Sequence, residues 1–270
     1  MSEVLRGLYA SATGMTARIL QQDLIANNLA NVSTNGYKRS GALNTQFDEV
    51  LLMNLSQRDP RSSRVGPLSR GVRTYESYVD FSHGTVTETG DPLDLALDGD
   101  GFFVVLQDGE LRYTRNGSFV LGAGGYIMTD SGGYLMGTRG PLRVGSGTLL
   151  VTEDGKVYSR RSGVQRGDAP VVEDEYIDDL WLADFEDRTA LRRVGDSLFE
   201  YVGTQRVDLI GQIGQTVTVK QGMIEGSNVN VVKEMVDMIE CFRAYESAQK
   251  MVLIQDETLD KLVNQVNRVG

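Results

Sequence analysis

"VKEMVDMIECFRAYESAQKMVLIQDETLDKLVNQV", residues 232–266, contains no glycine and no proline, and its apolar residues return every three or four positions. The spacing runs Met235, Met238, Phe242, Tyr245, Gln249, Val252, Asp256, Leu259, Val263, Val266, which is one stripe along an α-helix. The uninterrupted stretch covers residues 229–269. At ~1.5 Å per residue it makes a rod of about 60 Å, longer than a compact domain of this size needs. Asn228 or Asn230 is placed to cap its start. A capped run of this length predicts a coiled-coil-like element rather than an ordinary globular helix.

The other end of the chain repeats the pattern. Leu5, Leu8, Ala12, Met15, Ile19, Gln22, Ala26 and Leu29 follow the same spacing over residues 4–32, with Tyr9, Leu20 and Leu24 alongside. Gly7 and Gly14 interrupt this helix, each costing about 1 kcal/mol relative to alanine, so it is expected to be weak alone and to depend on partners. It ends in "IANNLANVSTNGYKR", residues 25–39, where four asparagines and a glycine replace the apolar repeat.

Between the ends the chain reads differently. Short β-rich pieces ("LDLAL", "GFFVVL", "ELRYTR", "LLVT", "QTVTVK") alternate with the turn dipeptides Asp108-Gly109, Asn116-Gly117, Gly124-Gly125 and Asp154-Gly155 over residues 93–220. That predicts an antiparallel, hairpin-built domain. Residues 37–92 have little periodicity and read as an extended connector that packs on something outside the monomer. The expected division is an N-terminal axial helix (1–36), the connector (37–92), a β-rich outer domain (93–220) and a C-terminal axial helix (221–270). The fold class is α+β: two long terminal helices forming a coiled-coil-like axial domain, with an antiparallel β-rich domain inserted between them. The stripes must meet each other or another subunit, and periodicity does not decide which.

Composition removes several functions. Against 27 Lys and Arg stand 37 Asp and Glu, a formal net charge of -10, which argues against nucleic acid or anionic membrane as partners. The lone Cys241 forms no intrachain disulfide and reads as a small buried hydrophobe or a helix-surface residue. The N-terminus lacks the apolar core and cleavage site of a signal peptide, and no window approaches the ~20 apolar residues of a membrane-spanning helix.

Catalytic motifs fail one by one. "TDSGG" (129–133) resembles a serine-protease nucleophile segment, but the sole histidine, His83, lies too close in sequence to leave room for the intervening barrel, and a hairpin turn explains the residues. "DGDG" (98–101) starts like an EF-hand loop and then offers Phe102 at the third ligand position. One His and one Cys make no transition-metal cluster, and no phosphate-binding glycine loop is present. "EDEYIDD" (173–179) supplies carboxylates, yet nothing fixes the separation glycoside hydrolysis requires. The expectation is a non-enzyme with no cofactor and no metal.

Three ordered motifs carry a resemblance. "GLYASATGM" with "QQDLIANNLANVSTNGYKR" looks like the N-terminal signature of the bacterial flagellar axial proteins, the rod and hook family, and "EGSNVNVVKEMVDMIECFRAYESAQKMV" looks like its C-terminal partner. "DLALDGDGFFVV" and "LRYTRNGSFVLGAGGYIMTDSGGYLMG" are similar to the family's middle segment. The resemblance implies a basal-body rod protein of proximal- or distal-rod type. It also implies terminal helices packed as the inner domain of a helical assembly, a β domain outside, and export through the flagellar type III apparatus without a cleaved signal. Implied partners are copies of the chain, other rod and hook proteins, basal-body ring proteins and the export apparatus.

On this reading the subunit-interface residues are Leu8, Met15, Ile19, Leu24 and Leu29 on one helix and Met235, Met238, Phe242, Tyr245 and Leu259 on the other. Asn27, Asn28, Asn31 and Asn35 are expected to bond backbone and amides where the helix ends in an interface, with Gly36 redirecting the chain in the left-handed conformation. Two alternatives stand against it. A carbohydrate- or peptidoglycan-active enzyme would use paired carboxylates of the β domain, and a cell-surface binding module would have protected helices in a folded monomer.

Overall fold

The computed structural model describes residues 2–46, 50–53, 64–68, 72–145, 147–163, 171–203, 206–209, 213 and 217–266. Connector residues 54–63 and 69–71, and the side chains of Leu5, Val263 and Val266 from the apolar repeats, lie outside the described set. The chain forms two compact units, one of residues 1–30, 40–80 and 230–270 and the other of residues 31–39 and 81–229.

The first unit contains helix α1 (Ser2–Ala30) and helix α2 (Val231–Val266), which pack together. Their contacts run in opposite directions along the two sequences: Asn28 meets Glu234, the Arg18 carbonyl meets Cys241, and Gly7 meets Gln255. The pair is therefore antiparallel. Asn230 caps α2, its Oδ1 accepting from the Lys233 amide at 3.1 Å. Strand Ser40–Gln46 pairs antiparallel with Val72–Val79, and Val50–Met53 with Arg64–Leu68, so the expected connector contributes strand pairs.

Among the described residues, the paired strands of the second unit are all antiparallel. Its main sheet runs, in spatial order, Leu191–Gly195, Leu198–Tyr201, Glu110–Thr114, Phe102–Gln107, Tyr134–Leu135, Ile127–Thr129 and Phe119–Leu121, with Leu182–Asp184 also on Phe102–Gln107. Thr148–Val151, Lys156–Gly163 and Val171–Asp179 form a three-stranded sheet, and Leu95–Gly99 pairs with Val217–Gln221. Alternation along "FFVVL" sends Phe103 and Val105 into a core with Leu97, Leu135, Leu149, Leu180 and Val219. Phe102 points to the other face, where it meets the rings of Phe81 and Phe185.

Candidate functional site

In the helix pair, the line that α2 turns towards its partner is Glu234, Met238, Cys241, Tyr245, Ala248, Val252, Gln255, Leu259, a 3-4 repeat of buried and half-buried positions. Met238, Tyr245 and Leu259 lie on it. Met235 and Phe242 do not: they are 50% and 51% exposed, on a face shared with Val232, Val236 and Ile239. On α1 the buried positions are Ala17, Ile25 and Asn28, and half-buried Gly7, Ser11, Gly14, Arg18 and Gln21 continue the line. Leu8, Met15, Leu24 and Leu29 are half-buried, and Ile19 is exposed with Tyr9 and Leu20 beside it. The apolar stripe therefore lies about one residue away from the covered line.

Two contacts mark the covered line. A Cβ at Gly7 would stand 2.4 Å from the Gln255 amide nitrogen, and the Cys241 thiol donates to the Arg18 carbonyl at 3.1 Å. Small and polar side chains share the covered line with Ile25, Met238, Tyr245, Val252 and Leu259, while Ile19, Met235 and Phe242 remain exposed. Burial raises the Cys241 thiol above its ordinary pKa.

Asn28 anchors this unit. Its Oδ1 accepts from the Ser40 amide at 2.9 Å, and its Nδ2 donates to the Ser40 carbonyl at 2.8 Å and to Glu234 Oε2 at 3.1 Å. A fully buried amide thus satisfies the start of a strand and a carboxylate of α2 together. Asn27 is exposed.

Asn31, Asn35 and Gly36 belong to the β-rich unit. Asn31 closes a turn with Thr34, whose amide and hydroxyl reach its carbonyl and Oδ1. Gly36 has φ +64°, and a Cβ there would meet the Arg115–Asn116 backbone at 2.2 to 2.5 Å, so glycine is required twice over.

Next to Gly36 lies a buried ionic clasp that sequence reasoning missed. Lys38 Nζ is 2.7 Å from Glu225 Oε1 and donates to the Ser82 carbonyl at 2.8 Å. Glu225 also accepts from the Gly84 amide at 2.9 Å and faces Arg115 at 3.4 Å. Backbone bonds run alongside: Gly36 N to the Glu225 carbonyl at 2.7 Å, and Arg39 N to Asn228 Oδ1 at 2.7 Å. Arg193 donates to the Lys38 carbonyl and stacks over Tyr37 at 4.2 Å. Burial lowers the Arg115 guanidinium from its ordinary value, against the pull of Glu225 and Asp100. The only available signal was placement: Lys38 and Glu225 stand just outside the two helices, within the stretches quoted for the resemblance.

The motifs set aside as catalytic have structural partners. Gly132 N bonds the Thr129 carbonyl at 2.9 Å, so "TDSGG" is a turn, and Ser131 Oγ faces Thr129 Oγ1 at 3.1 Å. His83 lies instead beside Asp100 and Glu225. Asp98 pairs with Lys220 at 2.6 Å and Asp100 with Arg188 at 3.2 Å, which commits the carboxylates of "DGDG" to cations. In "EDEYIDD", Asp174 pairs with Arg160, Glu175 with Arg161 and Asp178 with Arg139. Among the described residues no group of three or more metal-binding side chains occurs, and no helix is long and apolar enough to cross a membrane.

Two packed terminal helices with an inserted antiparallel β unit define the class of fold, and comparison with known proteins supplies the family. Residues 8–38 match the flagella basal body rod protein family, 96–159 the flagellar hook protein FlgE/F/G D1 domain, and 220–266 the flagellar basal body rod FlgEFG protein C-terminal family. The chain is 32% identical over 269 residues to flagellar basal-body rod protein FlgG of Buchnera aphidicola subsp. Baizongia pistaciae, covering 96% of this chain and 99% of the relative. FlgG of Bacillus subtilis is 29% identical, with 97% and 99% covered. The chain belongs to the flagellar basal-body rod protein family, and it is a structural, non-enzymatic FlgG-like subunit of the rod. Membership implies assembly with itself and with other flagellar proteins.

Proposed function

We propose that the subunit builds a helical tube through the outward apolar faces of its terminal helices, and that the tube carries motor torque to the hook. One observation supports this above others: Val232, Met235, Val236, Ile239 and Phe242 of α2 lie off the line that α1 covers and are about half exposed or more. Such a continuous apolar face is what a subunit interface covers. Repeating one heterologous contact with a rotation that does not close a ring gives a helical tube. Leu8, Met15, Ile19, Leu24 and Leu29 of α1 contribute to the same packing, with Met238, Tyr245 and Leu259 supporting it from within the pair. Asn27, Asn28, Asn31, Asn35 and Gly36 shape the exit from α1.

Export through the flagellar type III apparatus without a cleaved signal fits a chain whose weak helices gain order on assembly. Other rod and hook proteins and the basal-body ring proteins are the further partners of this reading. The test is Ile239→Glu with Phe242→Glu in the full chain. The monomer is expected to fold as before while polymerisation and motility are lost, and assembly at wild-type rates would refute the proposal. Amide exchange at residues 4–32 and 229–269 is expected to slow on polymerisation while residues 93–220 stay protected throughout.

A further inference from the structure

A cleft of about 400 Å³ in the β-rich unit is walled by Tyr126, Arg139, Pro141, Arg143, Ile177 and Asp178 among others. Both of its arginines are held in place. Arg143 Nε donates to the Gly124 carbonyl at 2.8 Å, and the guanidinium lies over the Tyr126 ring, 5.5 Å from its centroid. Arg139 Nε donates to Asp178 Oδ1 at 3.0 Å, its backbone amide donates to Asp178 Oδ2 at 2.9 Å, and its guanidinium lies over Tyr176 at 5.6 Å. Asp178 is buried, so a carboxylate inside the fold orients a cation on the cleft wall.

Arg143 differs from the other anchored arginines of this unit at its free end. Arg112, Arg115, Arg160, Arg188 and Arg206 all direct terminal nitrogens to carboxylates, a carbonyl or a tyrosine hydroxyl of the same chain. The terminal nitrogens of Arg143 have no acceptor among the described residues. The ring and the Nε bond therefore fix the guanidinium plane and leave four N–H groups for an acceptor from outside, the geometry that suits a carboxylate.

The chain itself carries a matching group. Glu153 and Asp154 form the tip of the hairpin that joins Thr148–Val151 to Lys156–Gly163, closed by the Gly155 amide on the Thr152 carbonyl at 2.8 Å. Both side chains are exposed, and neither makes a hydrogen bond or ion pair among the described residues. Other consecutive carboxylates of the unit are engaged: Asp174 and Glu175 with arginines, Asp178 with Arg139, Asp187 with Thr189. Neither Glu153 nor Asp154 lines the cleft of its own chain.

We propose that the cleft receives the Glu153–Asp154 tip of a second copy of this chain, two carboxylates against two oriented guanidiniums. The contact is heterologous, tip to cleft, so it repeats from copy to copy. It rests on assembly of the chain with itself and is independent of the apolar helix faces.

The experiment titrates the isotope-labelled full chain with acetyl-Val-Thr-Glu-Asp-Gly-Lys-amide, the sequence of residues 151–156, and with its Gln-Asn counterpart, following backbone amide resonances. The acidic peptide is expected to shift residues 124–126, 139–143 and 176–178 saturably, more weakly at high salt, and the neutral one is expected not to. Arg143→Gln should keep the melting temperature and weaken binding about tenfold. In polymerisation of the full chain, Arg143→Glu and Asp154→Arg should each slow assembly, and the two together should recover most of the rate. Arg143→Glu with Glu186→Arg restores the net charge away from the tip and should stay slow. Recovery in that control, equal response to both peptides, or wild-type binding by Arg143→Gln would overturn the proposal. Peptide binding at the cleft together with normal assembly of Ile239→Glu with Phe242→Glu would refute the helix-face reading and leave this contact standing; a silent cleft with loss of assembly in that variant would do the reverse.

Discussion

Lys38 and Glu225, 187 residues apart in sequence, meet at 2.7 Å with both side chains almost fully buried. Lys38 follows the end of α1 and Glu225 precedes the start of α2 along the chain, so this contact fixes the β-rich unit at the two points where the helical segments leave it. A charge in that position is costly to strand, because its attraction to the partner offsets a desolvation penalty of several kcal/mol per ion.

Glu225→Gln is therefore expected to destabilise the β-rich unit by about 3–5 kcal/mol, since Lys38 and Arg115 are left buried beside a neutral amide. Denaturant unfolding followed by the fluorescence of Trp181, the single tryptophan, reads this unit directly. A loss below about 1 kcal/mol would show that the clasp carries no weight.

Asn28→Ala removes the partner of the Ser40 amide and carbonyl and one partner of Glu234. Stranding buried groups costs about 1–3 kcal/mol each, so a loss of roughly 2–4 kcal/mol is expected in the helical unit. Faster amide exchange at Ser40 and along the last turns of α1 would report it, with the β-rich unit unaffected.

Gly14→Ala is expected to stabilise α1. A Cβ there meets nothing within 4 Å, so the helix gains the propensity difference of about 1 kcal/mol. Slower exchange in α1 with unchanged exchange in α2 is the expected pattern. A destabilised helix would mean that the position is needed as glycine.

Acid is expected to weaken the β-rich unit. Hydrogen bonding to Lys220 holds Asp98 below the ordinary carboxylate value, and hydrogen bonding to Arg188 does the same for Asp100. Burial pushes Asp178 upward, but Thr138 and Arg139 outweigh it and the net shift is downward. Depressed values give stability that is fully present above the unfolded aspartate pKa of about 3.9 and is lost as pH falls through the folded values. Urea midpoints are expected to be flat from pH 7 to about pH 5 and to fall below about pH 4. Asp178→Asn should reduce that acid-dependent loss.

The long helices, a cap at Asn228 or Asn230, the turns at Asp108-Gly109 and "TDSGG", and the strand at "FFVVL" were all legible, because each is a local rule acting within a few residues. The apolar repeat of α2 has the period of the line that α1 covers and shares Met238, Tyr245, Val252 and Leu259 with it; Glu234, Cys241 and Gln255 complete that line, and Met235, Phe242 and Asp256 lie off it, exposed. Reading by hydrophobicity selects the stripe that has most to lose in water. In this protein the covered line also takes in Gly7 against the Gln255 side chain and the hydrogen bonds of Asn28, and neither has a hydrophobic signature.

The sequence by itself determined the two terminal helices and the hairpin-built middle, which rest on short-range pattern, and the family through the resemblance its three ordered motifs carry. Only the tertiary structure decided which side of each helix the other covers, that the four asparagines divide between two units, and that Lys38, Arg115 and Glu225 share one buried site. The reason is physical: a hydrogen bond or ion pair between residues 187 apart leaves no period in the chain, and it exists only once the fold has excluded water around it.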